Sequence, residues 1–223
     1  MRILLVPLPF VLLGVLGVVG IGHGAMKNSR TTRGSGTLRS EVRNVGDFSG
    51  LDISGATHAE VVVGPAPSLK IEIDDNLLPL VATEVRGGVL HIHYTGPVST
   101  KHDLRAWITT PHLERTSASG ASELTVRGVR TRHMALSFSG ASQGKLQGQA
   151  EAIELDTSGA SQLDLQELPA RTAAVDASGA SQLQLAVTEE IRGELSGASQ
   201  LLYSGSPRLA VETSGASQIR RAN

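Results

Sequence analysis

Leu155-Asp156-Thr157-Ser158-Gly159-Ala160-Ser161-Gln162-Leu163-Asp164-Leu165 carries the pattern that decides the fold. Its centre, Ser-Gly-Ala-Ser, stands at residues 119–122, 139–142, 158–161, 178–181, 196–199 and 214–217, and a variant ending in Thr stands at 54–57. From Ser119 the starts of successive copies are 20, 19, 20, 18 and 18 residues apart. Self-similarity at a short fixed period is the mark of stacked repeats.

Alternation runs through each copy. Leu155, Thr157, Gly159, Ser161, Leu163 and Leu165 form one set, and Asp156, Ser158, Ala160, Gln162 and Asp164 the other. A period of two is the strand period. The first set, aliphatic at its ends and small in its middle, is expected to face inward, with Gly and the second Ser where the backbone turns a corner. A repeat of this length has a contour near ~63 Å at about 3.3 Å per residue, one circuit of a parallel β-solenoid. Six circuits would stack to roughly 29 Å. The competing architecture, an antiparallel sandwich, accounts for short strands. It does not account for the same residue types recurring once per circuit, which stacking of equivalent positions demands.

The remainder of the chain fits around this array. Residues 1–22 read as a secretory signal peptide or an N-terminal membrane anchor: Arg2 precedes an apolar run over residues 3–21, long enough to span a bilayer. Either reading places the rest outside the cytoplasm, and a membrane is met only through that segment. Residues 23–46, rich in Gly, Ser, Thr and Arg, read as a flexible polar linker. From Asp47 alternation begins: Leu51 and Ile53, then Val61 and Val63, then Leu69, Ile71 and Ile73. Arg86-Gly87-Gly88 is a tight turn before Leu90, Ile92 and Tyr94, and Leu104, Ala106 and Ile108 form a further strand. The reading is an all-β, single-domain parallel β-solenoid over residues 47–223, irregular over 47–112 and regular over 113–223.

Composition narrows the functional classes. The 223 residues contain no cysteine and carry a formal charge of −1. Disulfides are excluded, and the basic field of a nucleic-acid binder is missing.

The run from Phe48 to Gln218 resembles the bacterial family known as putative auto-transporter adhesin, head GIN domain, a domain of unknown function. The likeness rests on Phe48-Ser49-Gly50-Leu51, on Val89-Leu90-His91-Ile92 after Gly87-Gly88, on Pro111-His112-Leu113, and on the repeated Ser-Gly-Ala-Ser with its following Leu. The resemblance implies a β-solenoid, an extracytoplasmic location and an adhesive role. It implies no catalytic residue and no cofactor.

Stacking turns sequence positions into lines on a surface. Glu123, Gln143, Gln162, Gln182, Gln200 and Gln218 form a ladder whose amides bond along the axis. On the other side of the phrase, Asp156, Asp176, Glu194 and Glu212 continue a line that begins at Ser117 and Ser137, with Asp52 its equivalent in the variant copy. Neighbouring carboxylates about 5 Å apart repel by only ~0.8 kcal/mol in bulk water, and Arg171, Arg192 and Arg208 are at hand to relieve it. This line is a candidate site for a divalent cation such as Ca²⁺, bound through oxygen ligands. His91 and His93, two apart on a strand, share a face and with His102 or His112 are a weaker candidate for zinc.

The repeated serines suggest a nucleophile, but no Gly-x-Ser-x-Gly elbow occurs and the last histidine is His133. They read as corner residues bonding local backbone. The chain is therefore expected to be a non-catalytic structural or adhesive module of the cell envelope or surface, meeting an envelope protein or glycan. Carbohydrate binding is the alternative, and a polysaccharide-active β-helix enzyme a more distant one. The last phrase, Ser214-Gly-Ala-Ser-Gln-Ile, is followed only by Arg220-Arg221-Ala222-Asn223, so self-association through a C-terminal solenoid edge is a further expectation.

Overall fold

A computed structural model describes residues 30–222, and the proposed signal or anchor at 1–22 lies outside them. Seventeen strands follow in chain order: β1 (Thr32–Arg33), β2 (Leu38–Arg43), β3 (Gly50–Ile53), β4 (Thr57–Val63), β5 (Ser68–Asp74), β6 (Val81–Arg86), β7 (Val89–Tyr94), β8 (Val98–Ser99), β9 (Leu104–Thr110), β10 (Arg115–Ala118), β11 (Glu123–Phe138), β12 (Gln143–Thr157), β13 (Gln162–Ala177), β14 (Gln182–Leu195), β15 (Gln200–Ser204), β16 (Arg208–Thr213) and β17 (Gln218–Arg221). A 3-10 turn at Leu78–Leu80 is the one helical element among the described residues.

The regular part is the expected parallel solenoid. Gln143 pairs with Gln162, Gln162 with Gln182, Gln182 with Gln200 and Gln200 with Gln218, one repeat apart each time. The solenoid makes about five turns rather than six, because six corners enclose five full intervals. Leu136, Leu155, Val175 and Leu195 are buried, as are Leu124, Leu146, Leu165 and Leu185. These aliphatic positions, with Met134 and Phe138, fill the space between two opposed faces.

The irregular part extends the same stack out of chain order. β3 lies between β7 and β10, and β4 between β9 and β11, all parallel. The circuit formed by β3 and β4 is thus flanked on one side by the later β7 and β9 and on the other by β10 and β11. After β4 the chain runs to the end of the stack, makes the β6–β7 hairpin, and returns through β9 to β10. Gly87 (φ +56°) and Gly88 (φ +75°) close that hairpin, as a two-residue turn with both residues in the left-handed region requires.

The same end is capped. β5 pairs antiparallel with β9, and β2 pairs antiparallel with β5. Leu77 and Leu78 plug the core there and are buried. The polar stretch expected to be a flexible linker is therefore, over Leu38–Arg43, an edge strand hydrogen-bonded to the fold. Its Gly34–Gly36 segment is also fixed. Asp74, 1% exposed, accepts from Gly36 N–H (3.1 Å), from the Thr100 hydroxyl, and from His102 through Nδ1 (2.9 Å). Gly34 packs so closely that a Cβ would overlap the Asp74 carboxylate. Composition alone gave this segment a tether's signature; long-range partners, invisible in composition, hold it.

Candidate functional site: the corner and its flanking ladders

Each residue of Ser-Gly-Ala-Ser has a separate duty at the corner. The first Ser and the Ala donate their N–H groups to the circuit before: Ser158 to Phe138 O (2.9 Å) and Ala160 to Gly140 O (2.7 Å). The next residue, Gln162, donates to Ser142 O (2.9 Å). The sheet's hydrogen bonding therefore continues through the turn. Gly159, at φ +75°, supplies the left-handed step that swings the corner carbonyl onto the stacking axis. The second Ser is inward and buried, and its hydroxyl donates to the carbonyl of the first, Ser161 Oγ to Ser158 O at 2.9 Å. Ser122, Ser142, Ser181 and Ser199 repeat this bond, and Thr57 makes it to Ser54 O in the variant copy.

One expectation is revised here. The glycine is not an inward residue: Gly159 is exposed, because the strand pattern breaks at the corner before resuming at Gln162. The hydroxyls of Ser122, Ser142, Ser161, Ser181 and Ser199 bond local backbone carbonyls, as expected of corner residues, while Ser217 Oγ is buried with no partner among the described residues.

The two predicted lines flank the corner, in register. On one side, Arg105, His58, Glu123 and the glutamines from Gln143 to Gln218 stand in succession. The row begins further out at Ser40 and Glu72 on the capping strands. Beside it runs a second row through Val42, Lys70, Trp107, Glu60, Thr125, Lys145 and Asp164. Lys70 Nζ sits 5.0 Å from the Trp107 ring centre, and Lys145 reaches Glu167 (2.8 Å) and Asp164 (3.4 Å). These exposed pairs contribute little to stability.

On the other side, Asp52, Ser117, Ser137, Asp156, Asp176, Glu194 and Glu212 are aligned as predicted. The line starts earlier than the sequence revealed, at Glu84 and His91. Partial burial, then the charges of Asp176 and Glu154, push the Asp156 carboxyl above its ordinary value. Two of the arginines thought available to this line are engaged elsewhere. Arg171 forms a two-point pair with Glu189 (2.7 and 3.1 Å), and Arg208 pairs with Glu190. Glu194 N–H instead donates to Asp176 Oδ1 at 3.2 Å.

Asp156, Asp176, Glu194 and Glu212 form a file along the axis and do not converge. Among the described residues no three His, Asp or Glu side chains form a metal cage. His91 and His93 share an outer face as expected, but His91 Nδ1 meets Asp52 Oδ2 at 2.9 Å, and His102 is turned onto Asp74. The histidine set considered for zinc is not brought together. The Asp52–His91 pair and the Asp74 cluster escaped sequence reading; Gly-Ser-Gly at 34–36 and Asp-Asp-Asn at 74–76, both loop-forming motifs, were the available signals.

These features define a class: a β-solenoid whose repeat encodes a corner and whose exterior is a set of polar ladders. Residues 47–207 match the family described as putative auto-transporter adhesin, head GIN domain, and the chain belongs to that family. Solved structures share the fold at low identity. A putative adhesin from Bacteroides fragilis is 18% identical, with a TM-score of 0.69, over 85% of this chain and 99% of that one. A putative adhesin from Parabacteroides merdae is 14% identical, with a TM-score of 0.57, over 86% and 99%. A putative lipid binding protein from Parabacteroides distasonis is 14% identical, with a TM-score of 0.54, over 87% and 100%. A search of curated proteins finds no match.

Proposed function

We propose that the chain is an exported, non-catalytic adhesive module that makes contact through the outer face carrying the glutamine ladder. The carrying observation is the unbroken register of that ladder from Gln143 to Gln218, which presents side-chain amides at the ~4.8 Å strand spacing. Such a face offers both donors and acceptors without net charge, suited to many weak, repeated contacts with another protein or a polymer of the cell envelope. The family's adhesin description supports the reading. So do the bonds of the Ser122, Ser142, Ser161, Ser181 and Ser199 hydroxyls to backbone carbonyls, a structural use of these side chains. In the cell, residues 1–22 would act as export signal or anchor and hold the module at the extracytoplasmic side.

The test is retention of the purified full chain on intact bacterial cells and on isolated envelope fractions. Replacing Gln143, Gln162 and Gln182 together by Glu should abolish retention while melting stays within a few degrees. Undiminished retention would remove this face from the function.

Glycan binding is the second reading, favoured by Trp107 on the same face beside His58, Arg105 and Glu60. Aromatic rings with flanking polar groups suit sugar faces. A glycan array on which Trp107→Ala binds as the native chain does would exclude it.

A further inference from the structure

The two ends of the stack differ. The β5–β2 and β6 end is closed by antiparallel strands and by Leu77 and Leu78. The other end stops at β16 and β17, whose outer edges pair with no strand among the described residues. β16 lies beyond the family match. Its inward positions continue the core columns: Leu209 follows buried Ile191, and Val211 follows Gly193. Leu209 is nevertheless 43% exposed, since no described residue covers it.

The sequence of that edge is Arg208-Leu209-Ala210-Val211-Glu212. Read against a second copy running antiparallel and centred on Ala210, it is self-complementary. Arg208 of each copy faces Glu212 of the other on the outer side, and Leu209 faces Val211 on the core side. Directly opposed residues in an antiparallel pair have Cβ atoms ~4.5–5.5 Å apart, so both sets make contact. The neighbouring registers that keep the same faces together lose the match. Centring on Val211 sets Arg208 against Ser214, and centring on Leu209 sets Arg208 against Ala210.

We propose that β16 is a homodimerisation edge, two copies joining about a twofold axis through Ala210 so that the sheet and the core run on from one solenoid into the next. A twofold contact closes on itself and stops at two copies. β17 offers no charge-paired register: centring on Arg220 sets that residue against its own copy, and centring on Ile219 sets Arg220 against Gln218. β2, the edge strand of the capped end, is the other candidate. It turns Arg39, Glu41 and Arg43 to the side shared with the buried Ile73, Ile71 and Leu69, an inward charge pattern that blocks edge pairing, and Glu41 is held by Arg43 at 2.9 Å. Glu212 forms no ion pair among the described residues, and Arg208, which pairs with Glu190 of its own copy, would bridge from that carboxylate to Glu212 of the second copy. A single five-residue seam falls below the ~1,200 Å² of a standard interface. The dimer is therefore weak in dilute solution and favoured where molecules are crowded on a surface.

The test uses the full chain in detergent micelles, followed by sedimentation of a labelled copy across concentration. The native chain should pass from monomer to dimer. Arg208→Glu alone and Glu212→Arg alone should each dimerise at least tenfold more weakly. An equal mixture of the two should regain the dimer, since each faces its opposite charge. A second measurement covers failure of a charge variant to fold. The chain has no native cysteine, so Ala210→Cys should crosslink to itself under mild oxidation while Gln184→Cys does not. A native chain that stays monomeric to millimolar concentration overturns the proposal. So does association indifferent to both charge changes, as residues 1–29 would drive, an unproductive mixture, or species that grow beyond two copies.

Discussion

Gly159 stands over Gly140 so closely that a Cβ added to it would lie 2.5 Å from the Gly140 carbonyl oxygen. The same relation recurs along the corner, at 2.3 Å for Gly179 over Gly159 and 2.4 Å for Gly197 over Gly179. The obstacle is backbone, held by the hydrogen bond that Ala160 donates to the same oxygen, so it cannot move aside. Gly159→Ala therefore combines a left-handed residue, ~1–2 kcal/mol, with a steric displacement. A loss of about 3 kcal/mol or more is expected in urea unfolding, and a loss below 1 would contradict the corner geometry.

Ser161→Ala isolates the hydroxyl from the glycine. It deletes a buried donor but leaves Ser158 O, an acceptor close to solvent, free to find water. The expected loss is about 1 kcal/mol, the net worth of one hydrogen bond. Thr in place of Ser161 should retain most of the stability, as Thr57 already makes this bond in the variant copy. If Thr proves as damaging as Ala, the hydroxyl is not what the position requires.

Asp74→Asn tests the cap. The Thr100 hydroxyl first, then His102 and the Gly36 N–H, hold this carboxyl below its ordinary value against the opposing effect of burial. A depressed carboxyl contributes stability that is full above its unfolded value, ~3.9, and is lost as pH falls through its folded value. The variant should cost about 2 kcal/mol at pH 7, and native and variant should converge below pH 4. Trp107, the one tryptophan, sits near this end, so its fluorescence follows the cap while circular dichroism follows the repeats.

Asp156→Asn should act in the opposite sense. A carboxyl raised by partial burial and by Asp176 and Glu154 favours its protonated form in the fold. Its stability contribution is intact below the unfolded value and lost as pH rises through the folded one. Asparagine should raise the melting temperature slightly at pH 7 and leave it unchanged at pH 3. A larger gain at pH 3 than at pH 7 would reverse the assigned sign.

Periodicity made the regular half legible. The same residue types at one-circuit spacing fixed Gln143 to Gln218 in one file and Asp156 to Glu212 in another, because parallel stacking maps a sequence interval directly onto a neighbour. What stayed hidden depends on partners without a period. Leu38–Arg43 looks polar and solvated because it is an edge strand whose apolar residues, Leu38 and Val42, face outward, Val42 being 77% exposed. Asp74 gave no hint of burial, since Gly36, Thr100 and His102 approach it from distant parts of the chain. The place of β3 between β7 and β10 was equally unreadable, for alternation gives a strand its faces but not its neighbours.

That displaced circuit sets the order in which the molecule can assemble. A chain leaving a narrow exit with its N-terminus first presents β3 and β4 long before β7, β9 and β10 exist. Until roughly half the chain has emerged, those strands have two unsatisfied edges each, and their loop closures are among the longest in the fold. The later circuits need only the one just completed, so they can zip in sequence by short steps. Assembly should thus begin in the repeats and finish at the cap, against the direction of emergence, with the early strands held extended until their flanking circuit arrives.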